Sequence, residues 1–502
     1  MEAKADSKQP TASERGGAIG KTDEKQLEAG VYPSTASEHS KEGGPASKET
    51  IASAGDGPGS VEAALDVADE SAPPDGGYGW VCVISAMFIN ACTWGINSSY
   101  GVFLSYYLTH MPPLFPEATP LDYAFIGGVT AGCVMLVSPL ANLLTRRFSS
   151  RVAMLLGCAL QFASLIGASF SYRVWHLYLS QGVLYGLGMG FIFAASVGII
   201  PQWFQKRRSV ANGISAAGGG IGGLAFSLGS DVMLRRLGLA WTFRITGIVA
   251  LVVNITCSLL LRDRNKKINP DIKMFELGLL KRIEFLYIIA WGGFSMLGYL
   301  VILFSLPNYG ISVGLTMQQG SIMGAALNLG MAIGRPFVGF YSDVWGRINV
   351  AGALTFACSL TVFIIWINSS SFGALIFFGI INGAICGTFW TTVAPVAAEV
   401  VTLKELPSAL NIIWLSLICP LTFSEVIGLA LRQTYWDVES NTERSSYLHP
   451  QVFAGLMYLV AALSMLLLRE WKIRDEDEKA GETGPEAKFG KGKKKWVRWA
   501  RV

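Results

Sequence analysis

Long apolar segments separated by short polar breaks fill the chain from Gly79 to about Glu470. Each of the twelve segments holds about 20 to 29 residues, and at about 1.5 Å per helical residue each can cross a hydrocarbon layer of about 30 Å with some tilt. The pattern predicts an all-α polytopic membrane protein with twelve transmembrane helices. In chain order the segments are 80–108, 121–144, 151–171, 175–203, 209–232, 240–261, 283–308, 317–341, 348–368, 372–398, 407–431 and 450–469.

The apolar pattern is missing at both ends of the chain. Residues 1–74 are rich in Ser, Thr, Gly, Lys and Glu and nearly free of aromatic side chains, which predicts a disordered tail with no signal peptide. The C-terminal tail, 470–502, ends in a stretch that interleaves seven basic residues with Trp496 and Trp499. That stretch suits contact with anionic lipids of the bilayer or, alternatively, a freely solvated sorting signal.

One spacing recurs along the chain and predicts two similar halves. A shift of 197 residues brings the G-x-x-x-G-x-x-x-G run of segment four onto that of segment ten, and Pro139 onto Pro336. Glycines at this spacing let helices approach closely, and duplicated halves can rock about a site between them. We therefore predict two pseudo-symmetric six-helix bundles, 75–261 and 283–469, joined by a basic linker at 262–282. The matched glycines are Gly182, Gly186 and Gly190 in the first half and Gly379, Gly383 and Gly387 in the second.

Lys and Arg are unevenly distributed between the predicted connections. The connections on the side of the N-terminus carry fifteen of them, and those on the other side carry five. Because positively charged loops tend to stay in the cytosol, both termini are predicted to be cytoplasmic. Arg235 and Arg236 fall on the other side, against the trend.

Composition narrows the function classes further. Hydrophobic residues make up 51% of the chain and charged residues 15%, against about 25% charged in soluble domains. A net charge of +4 is too small to indicate nucleic-acid binding. All eight cysteines fall in apolar segments without a C-x-x-C pair, so we expect buried thiols and no metal site. The sequence has no nucleotide-binding loop, catalytic triad or cofactor motif, which favours a carrier over an enzyme.

The connection between segments eight and nine carries a motif with a known counterpart. Its sequence, GRPFVGFYSDVWGR at 334–347, has the spacing G-x-x-x-D-x-x-G-R and resembles the cytoplasmic loop motif of the major facilitator superfamily. Its glycines permit a tight turn, and Asp343 is suited to pair with a basic residue or a helix N-terminus and so latch one conformation. The first-half copy has Arg146 at the acidic position. The latch residues are Gly339, Asp343, Gly346 and Arg347.

Other stretches resemble the monocarboxylate porter family. DGGYGW at 75–80 and WFQKRRSVANGISAAGGGIGG at 203–223 resemble its two signatures, and TWGINSSYGVFLSYYL at 93–108 is similar to its fungal branch. We expect Asp75 to cap the first helix and the signature aromatics to lie at the headgroup level. The resemblance covers about residues 75–470 and implies the major facilitator fold. The residues of the first signature are Asp75, Gly76, Gly77, Tyr78, Gly79 and Trp80.

The resemblance also implies charges that this chain largely lacks. Lactate carriers of the family use a lysine in helix one, where this sequence has Ser98. They also use an Asp–Arg pair in helix eight, where it has Met331 and Arg335. One of three key charges remains, so we do not expect lactate–proton symport by the animal mechanism.

Two charged residues inside predicted helices are the main site candidates. Arg335 is suited to bind a carboxylate through its fork of donors or to contribute to gating, and a structural pair near the helix end is the alternative. Glu425 is the candidate proton site, because a low-dielectric setting favours the neutral carboxyl, and a polar link between helices is the alternative. At about 1.5 Å per residue, each lies about 9 Å from a different membrane face, so we expect no direct ion pair.

Polar and aromatic residues on other helices are candidates to line the substrate path. Each is alternatively a contact between helices. Trp94 and Trp390 are suited to stack on a planar substrate or to pack in the core. The candidates for the path are Asn97, Ser98, Tyr100, Gln181, Tyr185, Trp291 and Asn382.

These features together predict a secondary transporter of a small, monocarboxylate-like organic anion. It would work by alternating access, with proton coupling through Glu425. The family resemblance keeps two other cargoes open, an acidic secondary metabolite for export and riboflavin. A nutrient sensor that does not transport is the alternative from another class. We expect a monomer in the plasma membrane.

Overall fold

The computed structural model describes residues 74–110, 114–204, 207–264, 276–401, 405–437 and 442–483. Nearly all of the predicted tail 1–74, much of the linker 262–282 and the basic stretch 488–502 lie outside the described residues. Within the described ranges the chain is almost entirely helical, which confirms the all-α prediction.

Eleven helices in the described ranges are long and apolar enough to cross a membrane. The longest of them, Ser209–Leu260, breaks at Gly238, where φ is 77° and ψ is 175°, so it contains two of the predicted segments. We call its parts before and after Gly238 α5 and α6, and α1 to α12 then correspond to the predicted segments. The other helices are α1 Gly79–Thr109, α2 Pro120–Arg147, α3 Ser150–Ala168, α4 Val174–Trp203, α7 Ile283–Ser312, α8 Met317–Trp345, α9 Arg347–Trp366, α10 Phe372–Val400, α11 Ser408–Ala430 and α12 Leu448–Glu478.

Large apolar side chains cover much of the outside of the bundle. A soluble protein does not expose apolar area on this scale, whereas a lipid-facing surface does. Typical exposed residues are Leu136, Leu140, Phe337, Phe340 and Leu466.

Among the described helices, three contain a π-helical turn. These turns lie at Ala91–Gly95 in α1, Tyr178–Leu184 in α4 and Val362–Trp366 in α9. Such turns are rare and are frequent at functional sites. Trp94 and Gln181, which line the cavities described below, lie on the first two.

The packing of α2 with α4 is repeated by α8 with α10. A Cβ atom added at Gly186 of α4 would lie 2.5 Å from the carbonyl oxygen of Thr130 in α2. One added at Gly383 of α10 would lie 2.1 Å from the carbonyl oxygen of Leu327 in α8. The shift of 197 positions indicated by the glycine runs relates Gly186 to Gly383 and also relates their contact residues, Thr130 and Leu327.

The starts of α2 and α8 are also equivalent. In each helix a threonine side chain accepts from the N–H three residues later, and the side chain of that residue accepts from the threonine N–H, which is a capping box. Thr119 and Asp122 form it in α2, and Thr316 and Gln319 form it in α8. The shift of 197 positions relates these two pairs as well.

The two halves meet along two long helix pairs, α2 with α11 and α5 with α8. Glycines bring the backbones of each pair into direct contact. A Cβ atom at Gly128 of α2 would lie 2.0 Å from the carbonyl oxygen of Thr422 in α11. One at Gly220 of α5 would lie 2.4 Å from the backbone nitrogen of Ala332 in α8.

The face of the bundle where α1 begins and α12 ends is called the termini face here. The ends of α2, α4, α6, α8 and α10 and the starts of α3, α5, α7, α9 and α11 lie at this face. The hydroxyl of Tyr78, just before α1, donates to the carbonyl of Leu260 at the end of α6 at 2.7 Å. We call the other end of the bundle the opposite face.

A β-hairpin and a longer last helix differ from the sequence prediction. Strand β1, Gln433–Asp437, pairs antiparallel with β2, Thr442–Ser446, in the connection between α11 and α12. The last helix continues to Thr483, beyond the apolar segment that was predicted to end at 469. Charged residues one turn apart, such as Lys472 and Glu476 at 3.9 Å, support this helix beyond its apolar part.

Candidate functional site

A cavity of about 250 Å³ lies between the two halves. Its inner part reaches α1, α5, α7 and α8 near the middle of the bundle, and from there it continues between the ends of α4 and α10 at the termini face. The cavity is therefore open towards that face in this structure. The residues along this outlet include Val197, Gly198, Pro201, Ala394 and Ala398.

The halves close over the cavity at the opposite face. A Cβ atom at Gly101 of α1 would lie 2.9 Å from the carbonyl oxygen of Phe304 in α7, and the rings of Tyr100 and Phe304 are 5.2 Å apart. The rings of Phe125 in α2 and Phe423 in α11 are 5.7 Å apart. These backbone and ring contacts seal the described bundle at that face.

Arg335 of α8 lines the cavity and is 7% exposed. Its Nη1 donates to the carbonyl of Ala216 in α5 at 2.7 Å, so it connects the two halves. Its Nε has no hydrogen-bond partner among the described residues, and none of the ion pairs in that part of the chain includes it. A buried cation without a counter-charge is costly, so this position favours an anionic ligand.

Two glycines make room for the Arg335 guanidinium. A Cβ atom at Gly387 of α10 would lie 2.8 Å from Nε, and one at Gly219 of α5 would lie 2.9 Å from Nη1. Gly387 is the last glycine of the run on α10. The glycines of this run therefore serve different purposes. Gly383 allows α10 to pack closely on α8, and Gly387 leaves space for the Arg335 side chain.

Met331 lies one helical turn before Arg335. Its Sδ is 3.4 Å from Nη2 of Arg335 and 3.4 Å from the hydroxyl of Tyr299 in α7. A thioether is a weak, uncharged acceptor, so it does not neutralise the guanidinium. The positive charge of Arg335 remains available to a ligand in the cavity.

Besides Tyr299 of α7, four aromatic side chains from α1, α4, α10 and α11 line the cavity. They are Trp94, Phe193, Trp390 and Trp414, and the sequence analysis missed Phe193 and Trp414. The rings of Trp94 and Trp390 are 4.8 Å apart, and those of Trp390 and Trp414 are stacked at 6.0 Å. Aromatic residues on an all-apolar helix carry no sequence signal that separates the cavity side from the packed side.

Five of the predicted polar candidates lie at cavities. Asn97 and Ser98 line the main cavity, and the Ser98 hydroxyl donates to the backbone of its own helix at 2.8 Å. Tyr100, Gln181 and Tyr185, together with Asn97, line a separate cavity of about 20 Å³ inside the first half. The structure thus brings only part of the predicted set to one place.

Trp291 and Asn382 lie away from both cavities. The indole N–H of Trp291 donates to the hydroxyl of Thr355 at 3.1 Å, and the amide of Asn382 donates to the hydroxyl of Thr361 at 2.9 Å. Both predicted residues are 0% exposed. They connect helices of the second half, which is the alternative that the sequence left open for them.

Glu425 of α11 is fully buried and also lies outside both cavities. Its Oε1 accepts a hydrogen bond from the hydroxyl of Ser305 in α7 at 2.7 Å. Its Oε2 has no hydrogen-bond partner within the described part of the chain. Full burial disfavours the charged form of a carboxyl group.

Comparison with known proteins identifies the family. Residues 83–349 and 285–501 match the Major Facilitator Superfamily. The chain belongs to this superfamily. It is therefore a multi-pass membrane protein of a transporter family.

Similar members of the superfamily come from fungi. The chain is 34% identical to "Probable transporter MCH2" of Saccharomyces cerevisiae over 409 residues, which cover 80% of this chain and 85% of that protein. It is 36% identical to "Uncharacterized transporter ESBP6" of the same yeast over 417 residues, 80% of this chain and 60% of that protein. It is 26% identical to "Fujikurins efflux protein" of Gibberella fujikuroi over 424 residues, 81% of this chain and 87% of that protein.

The major facilitator loop motif between α8 and α9 contacts the other half of the protein. Asp343 Oδ1 accepts from the hydroxyl of Ser209, at the start of α5, at 2.7 Å, and from Nη2 of Arg347 at 3.3 Å. A Cβ atom at Gly339 would lie 2.9 Å from the carbonyl oxygen of Ser209. Gly346 has a φ of 96°, which allows the turn between the helices.

The two monocarboxylate-porter-like signature stretches pack on each other. The N–H of Asp75 donates to the carbonyl of Trp203 at 3.0 Å, and the rings of Trp80 and Phe204 are 5.0 Å apart. A Cβ atom at Gly79 would lie 2.9 Å from the Phe204 ring. The absence of a side chain at Gly79 therefore lets the start of α1 rest on the end of α4.

The predicted helix cap by Asp75 is wrong. The helix begins at Gly79 with Tyr78 in the capping position, and no side chain forms a cap hydrogen bond there. Asp75 and Gly77 have φ values of 50° and 58°, which turn the chain before the helix. The carbonyl of Gly76 accepts from the N–H of Gly79 at 3.1 Å within this turn. The local turn, and not a side-chain cap, sets where α1 starts.

Sequence analysis also missed a buried polar network in the first half. Gln161 of α3 donates to the carbonyl of Cys92 at 2.8 Å and to the hydroxyl of Tyr185 at 3.3 Å, and accepts from the amide of Asn254 at 2.9 Å. It therefore joins α1, α3, α4 and α6. A lone glutamine in an apolar segment is a usable signal, because an amide in a membrane interior needs partners.

Proposed function

We propose that this protein is a secondary transporter of the monocarboxylate porter branch that moves a small organic anion by alternating access. The observation that carries the proposal is Arg335, a buried guanidinium that lines the central cavity without an ion-pair partner among the described residues. A carboxylate fits a guanidinium fork through two parallel N–H···O hydrogen bonds. A bound substrate would supply the missing negative charge.

The hydrogen bond between Arg335 and Ala216 links ligand binding to the movement of the halves. Arg335 belongs to α8 in the second half, and Ala216 belongs to α5 in the first half. A substrate carboxylate that draws the guanidinium towards itself weakens this link between halves. Alternating access requires such a change, since the duplicated halves must move about the substrate site.

Proton coupling is proposed at Glu425. Its carboxyl is sealed between α7 and α11 and has one oxygen without a partner in the described structure. A neutral carboxyl in such a place can release its proton only when the helices part and admit water. Glu425 does not line the substrate cavity, so coupling would act through the conformational change and not through direct contact with the substrate.

Orientation and location follow from the same proposal. The excess of Lys and Arg in the connections at the termini face supports a cytoplasmic position for both termini. The structure would then be open to the cytosol. We place the protein in the plasma membrane.

Export of an acidic secondary metabolite is the second candidate function. Two relatives support it by their names, "Fujikurins efflux protein" of Gibberella fujikuroi and "Agnestins efflux protein AgnL12" of Paecilomyces divaricatus, which are 26% and 24% identical to this chain. This candidate differs from uptake in direction and cargo size, and it uses the same cavity and the same arginine.

Transport by the purified protein in proteoliposomes tests the proposal. We expect uptake or counterflow of at least one radiolabelled acid from a panel of lactate, pyruvate and 4-hydroxybenzoate, with riboflavin as a further cargo, and with and without a pH gradient. Arg335→Ala is expected to lower anion transport about 10- to 100-fold, because charge-assisted hydrogen bonds contribute about 1.5–3 kcal/mol. Arg173→Ala, at an exposed arginine outside the cavity, is the matched control and should transport normally.

The proposal is contradicted if Arg335→Ala transports every acid as well as the unmodified protein does. Arg335→Lys separates two roles of the side chain. A lysine keeps the charge and loses the fork, so an intermediate rate indicates carboxylate binding.

A further inference from the structure

The aromatic side chains at the main cavity differ from those in the core. Trp94, Phe193 and Trp390 are partly exposed at the cavity wall, whereas Trp291 and Trp366 are 0% exposed. Aromatic residues that serve only for packing are expected to be covered on all sides. The cavity instead leaves ring surface available.

These rings come from both halves and lie close to one another. Trp94 of α1 is 4.8 Å from Trp390 of α10 and 5.3 Å from Phe193 of α4, measured between ring centroids. Trp414 of α11 extends the group, 6.0 Å from Trp390 with an angle of 14° between the ring planes. The spacing is that of stacked and edge-to-face aromatic pairs.

The Arg335 guanidinium lies next to this aromatic group. Nη1 of Arg335 and the Cβ atom of Trp94 lie 2.9 Å and 3.4 Å from the point where Gly219 would carry a Cβ atom. The buried Nε of Arg335 has no partner among the described residues. An anion-binding group and a set of partly exposed indole rings thus share one cavity.

We propose that the cavity selects a planar aromatic carboxylate, an inference that rests on the anion-transport function proposed above. The carboxylate binds Arg335, and the ring of the substrate packs on the indoles of Trp94 and Trp390. Ring contacts of this kind add attraction beyond the burial of apolar area. A short aliphatic acid such as lactate makes no such contact.

The size of the cavity limits the substrate further. Its volume of about 250 Å³ is below the range of about 300–1,000 Å³ that is usual for drug-sized ligands. A single-ring acid therefore fits this conformation better than a larger ring system. The side of the cavity that faces the first half carries Asn90, Asn97 and Asn212, which suit a hydroxyl substituent on the ring.

Binding to the full-length protein in lipid nanodiscs tests this inference with two matched acids. Benzoate and cyclohexanecarboxylate have the same carboxylate and the same number of carbon atoms, and only benzoate is planar and aromatic. We expect benzoate to bind roughly twofold to tenfold more tightly, as measured by tryptophan fluorescence and calorimetry. Benzamide, which has the same ring without the charge, is expected to bind at least about tenfold more weakly than benzoate.

Two tryptophan variants test whether the cavity tryptophans cause the preference for benzoate over cyclohexanecarboxylate. Trp390→Leu is expected to abolish the difference between benzoate and cyclohexanecarboxylate. Trp175→Leu makes the same substitution at an exposed residue outside the cavity and is expected to keep the difference. The comparison of the two acids on the unmodified protein needs no variant, so the inference stays testable if Trp390→Leu fails to fold.

The outcomes separate this inference from the proposed function. Equal binding of benzoate and cyclohexanecarboxylate, or a preference that persists in Trp390→Leu, overturns the aromatic selectivity and leaves anion transport standing. Binding of neither acid, together with no transport of any acid in the panel, overturns both.

Discussion

The interface between α5 and α8 carries a similar group of residues at each of its two ends, and the two helices exchange roles between the ends. At the termini face, Asp343 of α8 accepts from Ser209 of α5 at 2.7 Å and pairs with Arg347, four residues later at the start of α9, at 3.3 Å. The sequence there is SDVWGR at 342–347. A carboxylate on α8 thus accepts a hydrogen bond from a serine on α5, in the other half of the protein.

The opposite face repeats this arrangement with the helices exchanged. Asp231 of α5 accepts from the hydroxyl of Ser321 in α8 at 3.0 Å and pairs with Arg235, four residues later on α5, at 2.5 Å. The sequence there is SDVMLR at 230–235. Because α5 and α8 run antiparallel, the two S-D-V-x-x-R stretches lie at opposite ends of the interface. We call the two sets the termini clasp and the opposite clasp.

The two clasps differ in their exposure to water. The Asp343 side chain is 31% exposed, whereas the Asp231 side chain is 4% exposed. Water weakens an ion pair and a charge-assisted hydrogen bond, so the same groups hold more strongly when buried. The more buried clasp is at the sealed face and the more exposed one is at the face where the cavity opens. We infer that solvent access, more than residue identity, decides which end of the α5–α8 interface stays closed.

Of the three substitutions considered, Asp231→Asn is expected to have the largest effect on the closure of the opposite face. The substitution removes the charge that Ser321 and Arg235 share, at an estimated cost of about 1–3 kcal/mol to the closed opposite face. Labelling of Ser98→Cys, which lines the cavity, by an impermeant maleimide from the opposite face is expected to rise about tenfold. The measurement uses oriented proteoliposomes and a Cys419→Ser background, which removes the exposed native thiol. Unchanged labelling would show that the buried clasp does not hold this face.

Ser321→Ala is expected to have a smaller effect in the same direction. It removes one hydrogen bond between the halves and leaves the Asp231–Arg235 pair intact, which costs about 1 kcal/mol. A severalfold rise in labelling from the opposite face is expected. Ser230→Ala is the matched control, because the buried Ser230 hydroxyl has no hydrogen-bond partner in the described structure. An equal rise in the control would mean that packing, and not the bond across the halves, is responsible.

Asp343→Asn is expected to have the smallest effect of the three. The group is partly solvated, and exposed ion pairs contribute about 0–1 kcal/mol. Accessibility of Ser98→Cys from either face should change by less than about fivefold. If Asp343→Asn changes accessibility more than Asp231→Asn does, exposure is not what distinguishes the clasps.

Much of the architecture could be predicted from local sequence features. Apolar segments of sufficient length predict the crossings, because backbone groups in lipid must be satisfied within helices. The shift of 197 positions predicted equivalent helices, and Thr119 and Thr316 at the starts of α2 and α8 show the same shift in the structure. Arg335 stood out as a charge within an apolar segment, and it lines the cavity. These features depend on residues that are near one another in sequence.

The sequence by itself determined the helices, the duplicated spacing and the position of Arg335 as a charge within an apolar segment. Only the tertiary structure decided that Trp390 and Trp414 face the cavity while Trp291 faces the core, and that Asp231 meets Ser321. In a membrane protein the lipid-facing, core-facing and cavity-facing sides of a helix are all largely apolar. The hydrophobic periodicity that marks the buried side of a soluble helix therefore loses its contrast, and the side that each residue takes depends on contacts between distant helices.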